Sequence, residues 1–314
     1  MASSHSISLH NTIKTSINLS YAKSNSSLPS KLRPNLSHSM QLRRLTLSVV
    51  AQNQRYWHAI ESEIDSFLDK SIPIRQPEAV FEPMRHLTFA APRTAASALC
   101  VAACELVGGD RSHAMAAAAA VHLMHAAAYA HEHLPLTDRA GSGPRPEVEH
   151  KYGPNIELLT GDGIVPFGFE LLARSVGPAR PERVLRVMIE ISRAGGSEGI
   201  MDGLYKEGEI VDENSRFEFI EYVCKKKYGE IHACAAASGA ILGGGSDGEI
   251  QKLRNFGLYA GTVRGLMERK SSVEIENIVR KLRDLALKEL EGFHGKRNVE
   301  LLTSLVAEPS LCSA

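Results

Sequence analysis

The sequence predicts an all-α domain carried behind a basic, Ser-rich leader. Three observations point there. Past residue 55 apolar residues recur at spacings of three and four, alternating Val/Ile/Thr runs are scarce, and no Asp or Glu precedes Glu61. The first two favour helices over strands. The third divides the chain into parts of different composition. With 314 residues, 43% of them hydrophobic, the chain can bury a substantial core.

Residues 1–50 are rich in Ser, Thr and Asn and carry Lys14, Lys23, Lys31, Arg33, Arg43 and Arg44. This is the composition of a disordered organelle transit peptide. The Met-Ala-Ser-Ser opening and the absence of Arg before Arg33 favour the chloroplast over the mitochondrion, with the stroma as destination. A secretory signal needs an unbroken apolar run, and Ser, His, Asn and Lys interrupt every candidate. The whole chain balances 36 cations against 36 anions; losing the six leader cations leaves 30 against 36 and no basic surface to suggest a nucleic-acid partner. Five cysteines at irregular spacing exclude a disulfide scaffold and fit a reducing compartment. A membrane span is not expected either. The most apolar stretch, Ala114–Ala130, is mostly Ala and contains His122 and His125.

In chain order, the Ala-rich segments Thr94–Val107 and His113–His133 are small-surfaced helices suited to close packing inside a bundle. Thr137–Asn155, with three Gly and three Pro, reads as a long exposed loop. Pro181–Ala194 starts at a Pro and stops at Gly195-Gly196. Gly243-Gly244-Gly245 followed by Ser246-Asp247 marks a helix end and a new cap rather than a nucleotide loop, because no strand precedes it. Val273–Glu291 lines up Ile275, Ile278, Val279, Leu282, Leu285 and Leu290 on one side. His122, His125, His131 and His133 are expected to be solvated or satisfied in the core, since no Cys or carboxylate completes a zinc spacing. Lys225-Lys226-Lys227 reads as a charged helix face.

Five blocks in order carry a family resemblance: Met84-Arg85-His86, Leu99–Gly109, His131–Asp138, Gly161-Asp162-Gly163 with Phe167–Glu170, and Gly239–Gly244. Together they resemble trans-prenyl diphosphate synthases of the geranylgeranyl type. The resemblance covers about residues 55–310 and makes 51–314 a prenyl-synthase-like all-helical domain, a bundle around an elongated central cavity. It also implies a chemistry that needs Mg²⁺, held by carboxylates one helical turn apart in two Asp-rich motifs.

Both motifs depart from the family pattern. The first falls on His131-Glu132-His133-Leu134-Pro135-Leu136-Thr137-Asp138. Glu132 and Asp138 remain as weak residual metal ligands, but His133 replaces an Asp, and imidazole suits hard Mg²⁺ poorly. The second falls on Glu268-Arg269-Lys270-Ser271-Ser272, with two cations where anions belong. The diphosphate-binding pattern is reduced to Arg93, His125 and Lys227, which the resemblance marks as residual diphosphate-binding positions. No catalytic residue is therefore assigned.

Small subunits of heterodimeric plant geranylgeranyl diphosphate synthases carry two Cys-x-x-x-Cys motifs, and this chain resembles the second type of such subunit. Cys100 and Cys104 match fully; Cys234 and Ser238 match with Ser in place of the second Cys. The resemblance marks these four as partner-binding residues. It implies a non-catalytic subunit that needs no cofactor itself, pairs with a large subunit holding Mg²⁺ in its own active site, and alters that subunit's activity or product length. The alternative is a divergent active synthase with a reduced metal site built on Glu132, Asp138 and Glu268, which turnover by the purified chain would distinguish.

Overall fold

The computed structural model describes residues 36–134, 151–175, 181–210, 216–293 and 298–307, with side chains from Val50 onward. The chain divides into an N-terminal unit ending at Leu47 and a compact unit from Ser48. The described residues are helical, with no strand among them, in the order α1 (Leu36–Ser71), α2 (Glu78–Ala90), α3 (Ala95–Leu106), α4 (Arg111–His133), α5 (Pro154–Ser175), α6 (Pro181–Gly195), α7 (Ile200–Glu207), α8 (Phe217–Cys224), α9 (Glu230–Gly243), α10 (Asp247–Met267), α11 (Val273–Leu290) and α12 (Val299–Ala307). A π-helical turn, Lys225–Gly229, joins α8 to α9.

The expected helices lie where their spacing and caps put them. Gly244 takes the left-handed conformation that ends α9, with φ +85°. Ser246 then opens α10 with a reciprocal capping box to Glu249. Two expectations need correction. Backbone over 36–50 is helical rather than irregular, as Leu42, Leu45 and Val49 at helical spacing without Gly or Pro allow. The loop expected over 137–155 is shorter at its end, because Pro154 and Asn155 already belong to α5, where Pro fits the first turn; its residues 137–150 lie outside the described residues.

The core is centred on α3, α4, α9 and α10. Helices α3 and α9 approach closely because each presents Ala, Gly, Ser or Cys to the other. A side chain at Gly239 would run into the Cys100 carbonyl, and one at Gly243 would sit 2.7 Å from the Cys104 carbonyl. At that separation the facing atoms gain dense dispersion contact without room for a methyl group. No single described helix is long and apolar enough to cross a membrane; the bent pair α2–α3 passes by length and composition only.

Candidate functional site

Four elements bring charge together at one end of the bundle. They are the last turn of α4, the last turn of α7, the π turn, and the residues that follow α10. Lys227 donates to Glu132 at 2.7 Å and also to Glu207. Glu207 accepts in addition from Arg269. Lys227 is only 9% exposed and Glu207 17%, while Glu132 is 32% exposed. The result is a chain of alternating charges, Glu132–Lys227–Glu207–Arg269, that neutralises itself in a partly water-excluded pocket.

The glycines and the π turn explain how these groups meet. The extra residue of a π turn shifts helical register. Gly203 lets the α7 backbone lie against the π turn, since a side chain there would stand 2.7 Å from Lys227 Cγ and 2.9 Å from its backbone nitrogen. Gly265 likewise makes room for the Tyr228 ring. Burial pushes the Glu207 carboxyl upward, but Lys227 and Arg269 overcome it and hold the group below the usual carboxylate range. Burial, followed by the negative charges of Glu268, Glu207 and Glu132, raises the Tyr228 phenol.

This pocket does not suit Mg²⁺ as far as the described residues extend. A hard dication needs several oxygen ligands carrying net negative charge. Glu132 spends an oxygen on Lys227, and Arg269 of the second motif reaches into the carboxylates instead of supplying one. His133 turns back along its own helix, its Nδ1 2.8 Å from the Tyr129 carbonyl and its ring against that of Tyr129. His131 packs on α5, with Nε2 3.2 Å from the Leu158 carbonyl. Asp138 lies outside the described residues. Among the described residues no group of three or more His, Cys, Asp or Glu is placed to hold a metal ion.

The three diphosphate-binding candidates do not form a ready anion site. Arg93 pairs with Asp65 beside a void of about 20 Å³ lined by Glu61, Ile64, Thr94, Ser97 and His122. That is room for about one water and not for a diphosphate. His125 donates Nε2–H to the Pro92 carbonyl at 3.0 Å, and burial pushes its pKa down to about 3, so it is not a cation at neutral pH. Lys227 is already shared by two carboxylates. The expectation that the lysine run forms a solvated helix face is thus corrected at Lys227, whose partners come from two other elements, α4 and α7. Glu207 was not legible as a site residue, because nothing in its local sequence signals that distant cations converge on it.

The cysteine motifs lie on α3 and α9. Cys100, Cys104, Cys234 and Ser238 are all buried within the chain's own interior. Cys104 Sγ lies 3.3 Å from the Asp110 carbonyl, and Cys234 Sγ 3.9 Å from Ser238 Oγ. Burial raises the Cys100 thiol well above its usual range and the Cys234 thiol to about 12. None of the four side chains reaches the surface of the chain. The small motif residues serve the close approach of α3 and α9. His122 is core-satisfied as expected, on the Thr88 carbonyl, and His232 is satisfied in the same way on the Tyr228 carbonyl.

One further surface feature stands out. Helix α6 buries Val184, Val187, Ile191 and Ala194, yet leaves Leu185 60% and Ile189 53% exposed. These two, with Met188, Ser192, Arg193, Gly196, Ser197 and Glu198, line an open groove of about 630 Å³.

Comparison with known proteins places this geometry. No protein-family model matches the chain. The heterodimeric geranylgeranyl pyrophosphate synthase small subunit 2, chloroplastic, of Cannabis sativa is 46% identical over 281 residues, covering 84% of this chain and 97% of the relative. Among solved structures, a mint deletion mutant of heterotetrameric geranyl pyrophosphate synthase is 69% identical with a TM-score of 0.74, over 81% of this chain and 99% of the other. The geranyl diphosphate synthase small subunit of Antirrhinum majus is 60% identical with a TM-score of 0.76, over 81% and 98%.

Proposed function

Because the chain belongs to the family of heterodimeric geranylgeranyl pyrophosphate synthase small subunits, we propose that it is a non-catalytic plastid subunit. It binds a geranylgeranyl diphosphate synthase large subunit in the stroma and changes that subunit's activity and product chain length. The observation that carries the reading is the Glu132–Lys227–Glu207–Arg269 cluster. Two fixed cations stand among the carboxylates where the chemistry calls for a metal, and a cation within a few Å opposes a dication by several kcal/mol at an intermediate dielectric. This subunit needs no cofactor; Mg²⁺ belongs to the partner's active site. Control of the partner requires that the partner's states differ in free energy between its own dimer and the mixed one.

The test has two arms. The purified chain, given Mg²⁺, an allylic diphosphate and isopentenyl diphosphate, is expected to show no turnover. Co-expressed with a plastid large subunit, it is expected to co-purify and to shift the ratio of geranyl to geranylgeranyl product. Robust turnover by the chain alone, lost in Glu132→Ala, establishes the divergent-enzyme reading in its place. A complex with unchanged rate and product ratio removes the regulatory role.

A further inference from the structure

The void of about 20 Å³ beside Arg93 is walled by α1, α3 and α4, and two of its lining residues carry buried oxygens in need of a partner. Glu61 Oε1 and Ser97 Oγ have no hydrogen-bond partner among the described residues. Ser97 is 4% exposed and stands in the first turn of α3. A buried hydroxyl or carboxylate left unbonded forfeits the hydrogen bond it had in water, so native interiors rarely leave one. Two such atoms on the wall of one void call for a shared partner inside it. His122 adds a third contact. Its Nε2 lies 2.8 Å from the Thr88 carbonyl, which makes that nitrogen the N–H, and burial lowers its pKa and keeps the ring neutral. The neutral ring retains a lone pair on Nδ1.

Size and charge select the occupant. One water needs roughly 10–15 Å³, so the void takes one and excludes a ligand of several heavy atoms. Arg93, on the same wall and paired with Asp65, already answers the carboxylates and opposes a metal cation. Glu61 and Asp65 together oppose an anion. What fits is a neutral molecule that both donates and accepts. Burial is the largest influence on Glu61 and raises its carboxyl against the pull of Arg93 and His58; a donor inside the void relieves that burial.

We propose that this void is a one-water site, in which the water donates to Glu61 Oε1 and His122 Nδ1 and accepts from the Ser97 hydroxyl, tying α1 to α3 and α4. The Arg93–Asp65 pair stands beside it. Arg93 is one of the positions that the resemblance marks for a diphosphate, so the ion pair and the water together close what is left of that subsite. The closure gives the absence of turnover a second cause besides the unsuited metal site. That consequence rests on the non-catalytic reading above; the water site itself needs only the side chains around it.

The experiment begins with a high-resolution crystal structure of the wild-type chain, from crystals with and without rubidium chloride. The expected result is one water within hydrogen-bond distance of Glu61 Oε1 and Ser97 Oγ, with no anomalous rubidium signal there. An empty void overturns the site, and a rubidium peak replaces it with a cation site. Thermal unfolding gives an independent sign. With the water bound, Ser97→Ala removes one of its partners and should lower Tm by about 2–4 °C, the size of one hydrogen bond. With a dry void the same change removes an orphaned hydroxyl, and a rise in Tm overturns the proposal. Glu61→Met with Ser97→Ala should cost less than the sum of the single changes, because either one already disrupts the shared water; additive losses refute the sharing. Calorimetric titration of the wild type with inorganic pyrophosphate should show no binding. Binding that Arg93→Met abolishes overturns the closed subsite, whereas the non-catalytic reading stands or falls on the separate turnover assay.

Discussion

Replacing Lys227 with Met tests whether the buried charge cluster holds this part of the molecule together. Methionine keeps the length and apolar stem of the side chain and removes the ammonium group. At 2.7 Å and an effective dielectric of about 20, the Lys227–Glu132 attraction is roughly 6 kcal/mol before desolvation is subtracted. Burying Lys227 offsets much of that gain, and Met avoids the penalty. Removing one partner of a fully buried pair typically costs about 3–5 kcal/mol, because the charge left behind is unpaired. Here Glu207 keeps Arg269, and Glu132 is 32% exposed and can take water, so the expected loss is smaller, about 2–3 kcal/mol. At about 2–4 °C per kcal/mol for a domain of this size, Tm should fall by roughly 4–12 °C. The assay is thermal unfolding followed by circular dichroism at pH 7 and low salt, with Arg186→Met, which breaks an exposed pair, as reference. Adding Glu207→Gln to Lys227→Met should deepen the loss, because it takes away the carboxylate that Arg269 keeps. A Tm no lower than that of Arg186→Met would show that the cluster contributes no more than a surface pair and refute the reasoning.

Other outcomes follow from the same geometry. Gly239→Ala should destabilise the protein by about 1–2 kcal/mol in urea unfolding, since its Cβ meets the Cys100 carbonyl and the cost exceeds the helix-propensity gain of about 1 kcal/mol; Gly248→Ala, with open space around it, should be neutral or stabilising. Ser238→Cys, which completes the second motif, should leave affinity for the large subunit within about twofold, because a side chain buried in the monomer cannot meet a partner; a large gain would return the motif to the interface. Native thiol labelling at pH 8 should spare Cys100, Cys104 and Cys234, whose thiols are buried, and reach them only on unfolding. His232 has its pKa depressed by burial to about 4, so its contribution is fully present above the unfolded value of about 6.5 and is lost as pH falls from there toward 4, at about 1.4 kcal/mol per unit. A stability profile between pH 7 and 5 should therefore be flatter in His232→Gln than in the wild type.

Periodicity and capping residues made most of this architecture legible. The Ala-rich α3 and α4, the start of α6 at Pro181, the end of α9 at Gly244 and the start of α10 at Ser246 are local events, settled by side chains within a turn of where they act. The departures at His133 and Arg269 were legible for the same reason, since they are substitutions inside short motifs. The tertiary structure alone decided what those residues meet. Lys227 belonged by sequence to a charged run, yet packing on Gly203 carries it between carboxylates 95 and 20 residues away. Cys100 and Cys104 shared a helix face by spacing, but whether that face looked to a partner or to α9 depended on Gly239 and Gly243, far along the chain. Local spacing fixes which side chains share a face of a helix. Which neighbour covers that face is settled by long-range shape and charge, and that separates a residual metal site from a cluster that neutralises itself.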